Sequence, residues 1–339
     1  MRFRPTRLTL NLPAILLVAA LGLAGCGNWP LEPRNVRHPI GNSGGEFQQY
    51  GGAPYFHTGI DIMDDTPAPD GPFVRTKNSG TATLSLPGAG SLYNGLTVSL
   101  GDATNSSQKY WHLDFNSIEQ AVRDADTDGT VLPARSRVAQ LVDWTACDYH
   151  HLHFETCDDT GCVEPVLSLR PRSDTNSPVI VDVTFTDNGS TTIFPPAFPD
   201  TVVRGQVDIV ARAYDRQFVT ASQNHKTGML KIRYQVTSLP GGAVVKTGST
   251  IDFSRIPPDN KTTVLFRNAA PFDSSSAYCA GENYYYVATN VDDADPAHFD
   301  ETFSWDTTVH PNGRYWVEVT ASDASSNTFS LTKQVRIDN

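Results

Sequence analysis

Three histidines stand within six residues, His150-His151-Leu152-His153-Phe154-Glu155, just after a stretch of alternating apolar residues. In an extended strand, residues two apart share a face, so His151 and His153 sit side by side about 7 Å apart at their Cα atoms. Leu152 turns the other way, into the core, with His150 and Phe154. Two imidazoles on one strand supply one metal ligand and one neighbouring acid or base, and a site needs more. His57 and Asp61, four apart in "FHTGIDI", offer it. A straight strand would hold those two side chains roughly 13 Å apart, too far for one ion bound at about 2 Å. The chain is therefore expected to bend near Gly59, which tolerates the dihedrals a bend needs. His57, Asp61 and one imidazole of "HLH" then make two nitrogens and one oxygen. Three protein ligands with an open position is the pattern of a catalytic zinc rather than a structural one. His112, in "YWHLD", takes meaning only from this company, since a lone histidine between Trp111 and Leu113 reads equally as a packed residue.

These residues need elements to hold them. The chain has 339 residues, enough for two domains with a sizeable core in each. Residues 30–170 alternate over short segments such as "LTVSL" and "RVAQLV", separated by Gly, Pro, Asn and Asp clusters, which predicts a mostly antiparallel sheet. One helical pattern runs from Phe115 to Ala125, with Asn116 and Ser117 as caps. The polar, Pro-bracketed stretch "RPRSDTNSP" predicts a linker at 171–178. Beyond it, residues 179–339 carry further period-two strands, the pattern of a β-sandwich. The fold class expected is mainly β: an antiparallel-sheet domain followed by a sandwich. A net charge of −11, with 26 Lys and Arg against 37 Asp and Glu, provides no electrostatic footprint for nucleic acid.

"HTGID", "YWHL" and "HLHFE", in that order within about a hundred residues, resemble the LytM/lysostaphin-type zinc endopeptidases that cut peptide bridges in bacterial cell walls. The resemblance covers Pro39 to Pro165 and includes "VRTKNSGTATL" and "YNGLTVSL". It implies that His57, Asp61 and His153 bind Zn2+, while His112 and His151 stand beside the reacting atoms without binding the metal. Spacing alone does not decide which strand histidine is the ligand. It further implies peptidoglycan as substrate. No "HExxH" occurs, so the resemblance leaves proton transfer to the two histidines. Glu155 shares the face of His153, where it either orients a neighbour or forms an ordinary salt bridge. The family's Gly-rich turns between its second and third motifs are missing. Asp128 to Tyr149 stands there instead, with His150 where a small residue or Pro is common. The alternatives are satisfied core histidines, a catalytically silent relative that binds the wall or regulates another hydrolase, and a surface peptidase acting on host or competitor protein.

The N-terminus reads as an export signal, residues 1–25, with Arg2, Arg4 and Arg7 before an apolar run from Ala14 to Leu23. "LAGC" resembles a bacterial lipobox, which implies lipidation of Cys26 and a membrane tether; an ordinary secretory signal with an incidental Cys is the alternative. Gly27 in place of Asp argues for an outer-membrane lipoprotein, on its periplasmic face or at the cell surface. Export fits the remaining cysteines, for which disulfides Cys157–Cys162, around the turn "DDTG", and Cys147–Cys279 are expected. A Cys-based zinc site is the weaker reading, because no CxxC pair occurs. Asp124, Asp126, Asp128 and Gly129 follow the opening of a Ca2+ loop, although Arg135 occupies its closing position. In the second half, "GQVDIVARAYD" and the stretch from Phe303 to Asn327 resemble a bacterial immunoglobulin-like domain, with a Tyr-rich insertion at about 250–301. Such a module is a candidate site for a protein partner.

Overall fold

The computed structural model describes residues 28–339 apart from 51, 147–148, 198–199, 221–223 and 278–280. The export signal, Cys26 and the Cys147–Cys279 pairing lie outside the described residues. With 42% of residues in strands and 9% in helices, the protein is mainly β, as the alternation predicts.

The first unit is built on one seven-stranded sheet. Its strands are β1 (Ile60–Met63), β2 (Gly80–Ser85), β3 (Gly95–Ser99), β4 (Ser107–Trp111), β5 (Val131–Leu132), β6 (His151–Asp158) and β7 (Gly161–Val163). The order β7-β6-β4-β3-β2-β5 is antiparallel throughout, and β1 joins the free edge of β6 ahead of β7. Register decides the site: His153 faces Asp61 across β1 and Trp111 across β4. Leu152 and Phe154 are fully buried on the opposite face, against Ile60, Ile62 and Tyr110. Cys157 and Cys162 pair across the β6–β7 hairpin and are joined by a disulfide, as expected from their turn.

The helix begins later than the sequence predicts. Phe115–Ser117 forms a 3-10 turn, and α1 runs over Gln120–Asp128. Ser117 is not its cap, because its hydroxyl donates to the Asp114 carbonyl and accepts from the Gln140 amide. The Ca2+ reading at Asp124, Asp126 and Asp128 is overturned with it. These residues are helical, and positions two apart on a helix do not face one another. Asp124 accepts from Gln120 and Asp126 from the Leu84 amide, while Gly129 ends the helix at φ 65°.

The second unit is a sandwich of two sheets. One contains β8 (Val179–Asp187) and β9 (Gln206–Tyr214), the other β10 (Lys231–Leu239), β11 (Gly313–Ser322) and β12 (Thr328–Ile337). Alternate residues of both sheets, among them Phe185, Ile209, Tyr234 and Val317, interdigitate in one core. The Tyr-rich region belongs to this core rather than to an appended loop. Its strand Tyr285–Val287 pairs with β9, and Tyr284 and Tyr286 are fully buried. The units pack on each other directly: Phe47 and Phe56 enter the sandwich core, while Phe218, Leu230 and Ala324 enter the other. Arg255 forks onto the Asp158 carboxylate at 2.9 and 3.0 Å across the junction.

Candidate metal centre

The strand carrying His57 ends early. Tyr55–Phe56 is extended, His57 to Gly59 leave strand geometry, and β1 begins at Ile60. That break brings His57 Nε2 to 3.2 Å from Asp61 Oδ1, so the predicted bend exists. Its reason differs from the expected one, since Gly59 is not among the positive-φ glycines. A Cβ there would lie 2.5 Å from the Phe154 carbonyl, so glycine is needed for close approach to β6.

His153 Nδ1 lies 2.8 Å from His57 Nε2 and 3.0 Å from Asp61 Oδ1, closing a triangle of candidate ligand atoms. The remaining polar atoms fix which lone pairs point inward. His57 Nδ1 donates to the Ser43 carbonyl at 3.0 Å, leaving Nε2 as an acceptor. His153 Nε2 donates to Glu155 Oε1 at 3.0 Å, leaving Nδ1 as an acceptor. Asp61 Oδ2 is held by Asn42 at 3.0 Å and by the Tyr149 hydroxyl at 3.4 Å, so Oδ1 faces the two rings. Three acceptors converge with no donor among them. Only a cation reconciles them, and two imidazoles with a carboxylate form a donor set suited to zinc. Tetrahedral bonds of about 2.1 Å would set such atoms about 3.4 Å apart, so the residues fit the ion with sub-ångström adjustment.

Electrostatics agree. Burial opposes the charge on Asp61, yet His57, His151 and His153 hold its carboxyl well below the usual range. Burial also opposes charge on His153, but its bonds to Asp61 and Glu155 prevail and raise it to about 9. Without a metal, a proton therefore serves as the cation. Glu155 is buried, yet His153 and Lys109, the latter at 2.8 Å, depress it to about 2, and Thr58 donates to it as well.

His112 and His151 lie beside the triangle with ring centroids 4.4 Å apart. Each donates from Nδ1 to a backbone carbonyl, His112 to Leu92 at 2.7 Å and His151 to Tyr149 at 2.8 Å. Each therefore keeps an Nε2 lone pair, and His151 Nε2 is 3.8 Å from Asp61 Oδ1. Burial lowers both pKa values; repulsion from His151 and His153 takes His112 further down. His112 adopts φ 69°, a left-handed conformation costing a non-glycine residue about 1–2 kcal/mol. His150 does not join the site. It accepts the Trp144 amide at 3.0 Å and so anchors the segment whose indole packs on His112 and His151.

All five histidine and aspartate candidates line one cavity of about 490 Å3, walled by Tyr50, Tyr55, Tyr93, Trp111 and Trp144. Sequence reasoning missed Asn42, Tyr149 and Trp144. The available signals were the turn-like "GNSGG" around Asn42 and the aromatics flanking His150.

No family model matches the sequence, and no curated protein does. Among solved structures, the chain is similar to the catalytic domain of the antimicrobial peptidase lysostaphin from Staphylococcus simulans. That match has 17% identity, covers 38% of this chain and 89% of that one, and has a TM-score of 0.29. A zinc-containing peptidase from Vibrio cholerae matches at 18% identity over 41% of this chain and 38% of that one, TM-score 0.30. The SpoIIQ–SpoIIIAH pore-forming complex matches at 17% identity over 41% and 87%, TM-score 0.30.

Proposed function

We propose that the protein is an exported, lipid-anchored zinc endopeptidase that hydrolyses peptide bonds of bacterial peptidoglycan. The observation that carries this reading is the triangle of acceptors at His57, Asp61 and His153, set beside two neutral imidazoles in an aromatic cavity. Zinc held by those three residues would supply Lewis acidity toward water and a scissile carbonyl. The protein supplies the rest. Neutral His151, with its Nε2 lone pair, accepts a proton from the attacking water. His112, equally buried, is placed to stabilise developing oxyanion charge and to return a proton to the leaving amine. Tyr50, Tyr55, Tyr93 and Trp111 wall the cleft against water and offer flat surfaces to an extended peptide. Peptidoglycan is favoured by the "HTGID", "YWHL" and "HLHFE" motifs, and the wall-facing location by the "LAGC" segment. The sandwich is read as an immunoglobulin-like module that positions the peptidase or binds a partner.

The reading is tested by incubating the protein, loaded with zinc, with purified sacculi and identifying released fragments by mass spectrometry. New peptide termini from the wild type, absent with Asp61→Ala, are expected. Intact sacculi with a fully zinc-loaded wild type would overturn it. The tether is tested separately: Cys26→Ser should abolish labelling by a fatty-acid analogue, and persistent labelling would exclude that cysteine as the acceptor.

A further inference from the structure

A second group of acids gathers outside this cavity. Asp174 lies in the 171–178 linker, Asp215 follows β9, and Asp323 follows β11, so the linker and both sheets of the sandwich each contribute one carboxylate. One oxygen from each lies within 4.8 Å of the other two. Oxygens bound to one calcium at about 2.4 Å are at most about 4.8 Å apart, so the spacing suits a hard cation.

Proximity of acids is common on surfaces; here Asp215 and Asp323 are buried. Asp215 is fully buried, and neither of its carboxylate oxygens has a hydrogen-bond partner. Asp174 Oδ2 is likewise buried without one. Asp323 is 2% exposed, and its oxygens accept from the Ser325 and Asn327 amides and the Asn327 side chain. Those donors favour its ionised form, although burial outweighs them and raises its carboxyl above the ordinary value. Among the described residues, no Lys, Arg or His lies within 4.0 Å of any of the three carboxylates. At Asp215, burial, reinforced by repulsion from Asp323 and Asp174, outweighs the Arg216 amide and guanidinium that favour its charge and raises its carboxyl to about 8.

We propose that Asp174, Asp215 and Asp323 form a binding site for a hard divalent cation of the calcium type, which clamps the linker onto the end of the sandwich. An all-oxygen, carboxylate-rich donor set selects calcium-like ions over zinc. The surroundings give the ion a structural role. Asn327 donates to the Asp174 carbonyl, Ser325 to the Arg172 carbonyl, and Asn176 to the Arg216 carbonyl, so the linker already lies along this end. Phe218 and Ala324, close in sequence to Asp215 and Asp323, pack into the core of the first unit. The ion therefore fixes how the two units sit together.

The test uses the full chain in detergent, stripped with a chelator, reloaded with one equivalent of zinc, and titrated with calcium chloride. Calorimetry should show one calcium per chain, with a melting midpoint that rises with calcium, on the order of 5 °C at a hundredfold excess over Kd. Tryptic cleavage within 170–178 should slow in parallel. Asp215→Asn should lose all three responses. Should that variant fail to fold, Asp174→Asn on the half-buried linker position should lose the same responses. His153→Ala should keep them, which separates this site from the zinc centre. A wild type with neither heat nor midpoint shift up to roughly 10 mM calcium, above the range of weak calcium modules, overturns the proposal. So does an undiminished response in a folded Asp215→Asn.

Discussion

His57 Nε2 and His153 Nδ1 face each other at 2.8 Å while the opposite nitrogen of each ring is committed to an acceptor. Two imidazoles in that relationship repel unless something positive lies between them, and Asp61 Oδ1 completes the demand. Removing Asp61 removes a ligand and the anion that holds the rings together. Asp61→Ala should fall far below one zinc per chain by elemental analysis. Zinc retained at wild-type stoichiometry would show that the ion sits elsewhere.

Glu155 reaches the candidate metal centre through His153, whose Nε2 donates to it at 3.0 Å. Its carboxylate, pinned by Lys109 and Thr58, holds the proton on His153 Nε2 and leaves Nδ1 free. Glu155→Gln keeps the size but offers an amide that can donate instead of accept, which favours the wrong tautomer. Loss of such a partner typically weakens metal binding about 10–100-fold. Competition against a zinc-sensitive dye should record that loss with the fold intact by circular dichroism. An unchanged zinc affinity would reduce Glu155 to an ordinary ion pair.

The residues that sequence revealed are those whose signal is local. The period of two in "HHLHFE" gave the faces of His151 and His153, and the separation of His57 from Asp61 demanded a bend. Gly59 was identified correctly but for the wrong reason, because its constraint comes from Phe154, remote in sequence. Asn42 and Tyr149 carry only faint local marks, a glycine-rich turn and a flanking aromatic; they matter because β1 and β6 bring Asp61 between them. Asp174, Asp215 and Asp323 come from three separate stretches of sequence, and nothing local shows that they meet. Conversely, Asp124, Asp126 and Asp128 looked like a loop because acidic and glycine residues suit turns, yet Val122 and Ala125 bury a helical face there. Local composition lost to tertiary packing.

A buried acid at the junction gives a pH dependence of stability. Glu164 accepts from the Gly44 amide at 2.7 Å and the Val166 amide at 3.1 Å, yet burial outweighs both bonds and raises its pKa from 4.5 to about 7. A group whose folded pKa is raised contributes stability that is complete below its unfolded pKa and lost as pH rises through the folded one. Stability should therefore fall between pH 4.5 and 7 by on the order of 3 kcal/mol from this residue. Glu164→Gln remains neutral and should flatten that part of the profile relative to wild type, read from urea midpoints. Parallel profiles would mean that the buried carboxyl is already ionised at low pH.

The last expectation separates an enzyme from a metal-binding scaffold. His112 and His151 hold no position in the ligand triangle, so His112→Ala and His151→Ala should keep zinc near one per chain. Each should nevertheless lose about a hundredfold to a thousandfold in turnover on sacculi, the usual effect of removing one proton-transfer or oxyanion-stabilising group. His112 needs a further control because its backbone is left-handed at φ 69°. Alanine would be strained there as histidine is, whereas glycine adopts that conformation freely. His112→Gly should therefore raise stability over His112→Ala without restoring turnover. If activity returned with glycine, the imidazole would be dispensable and the residue's contribution would be conformational. Full activity in zinc-loaded His151→Ala would move proton transfer to another group in the cavity, with Tyr149, whose hydroxyl lies 3.4 Å from Asp61 Oδ2, as the next to substitute.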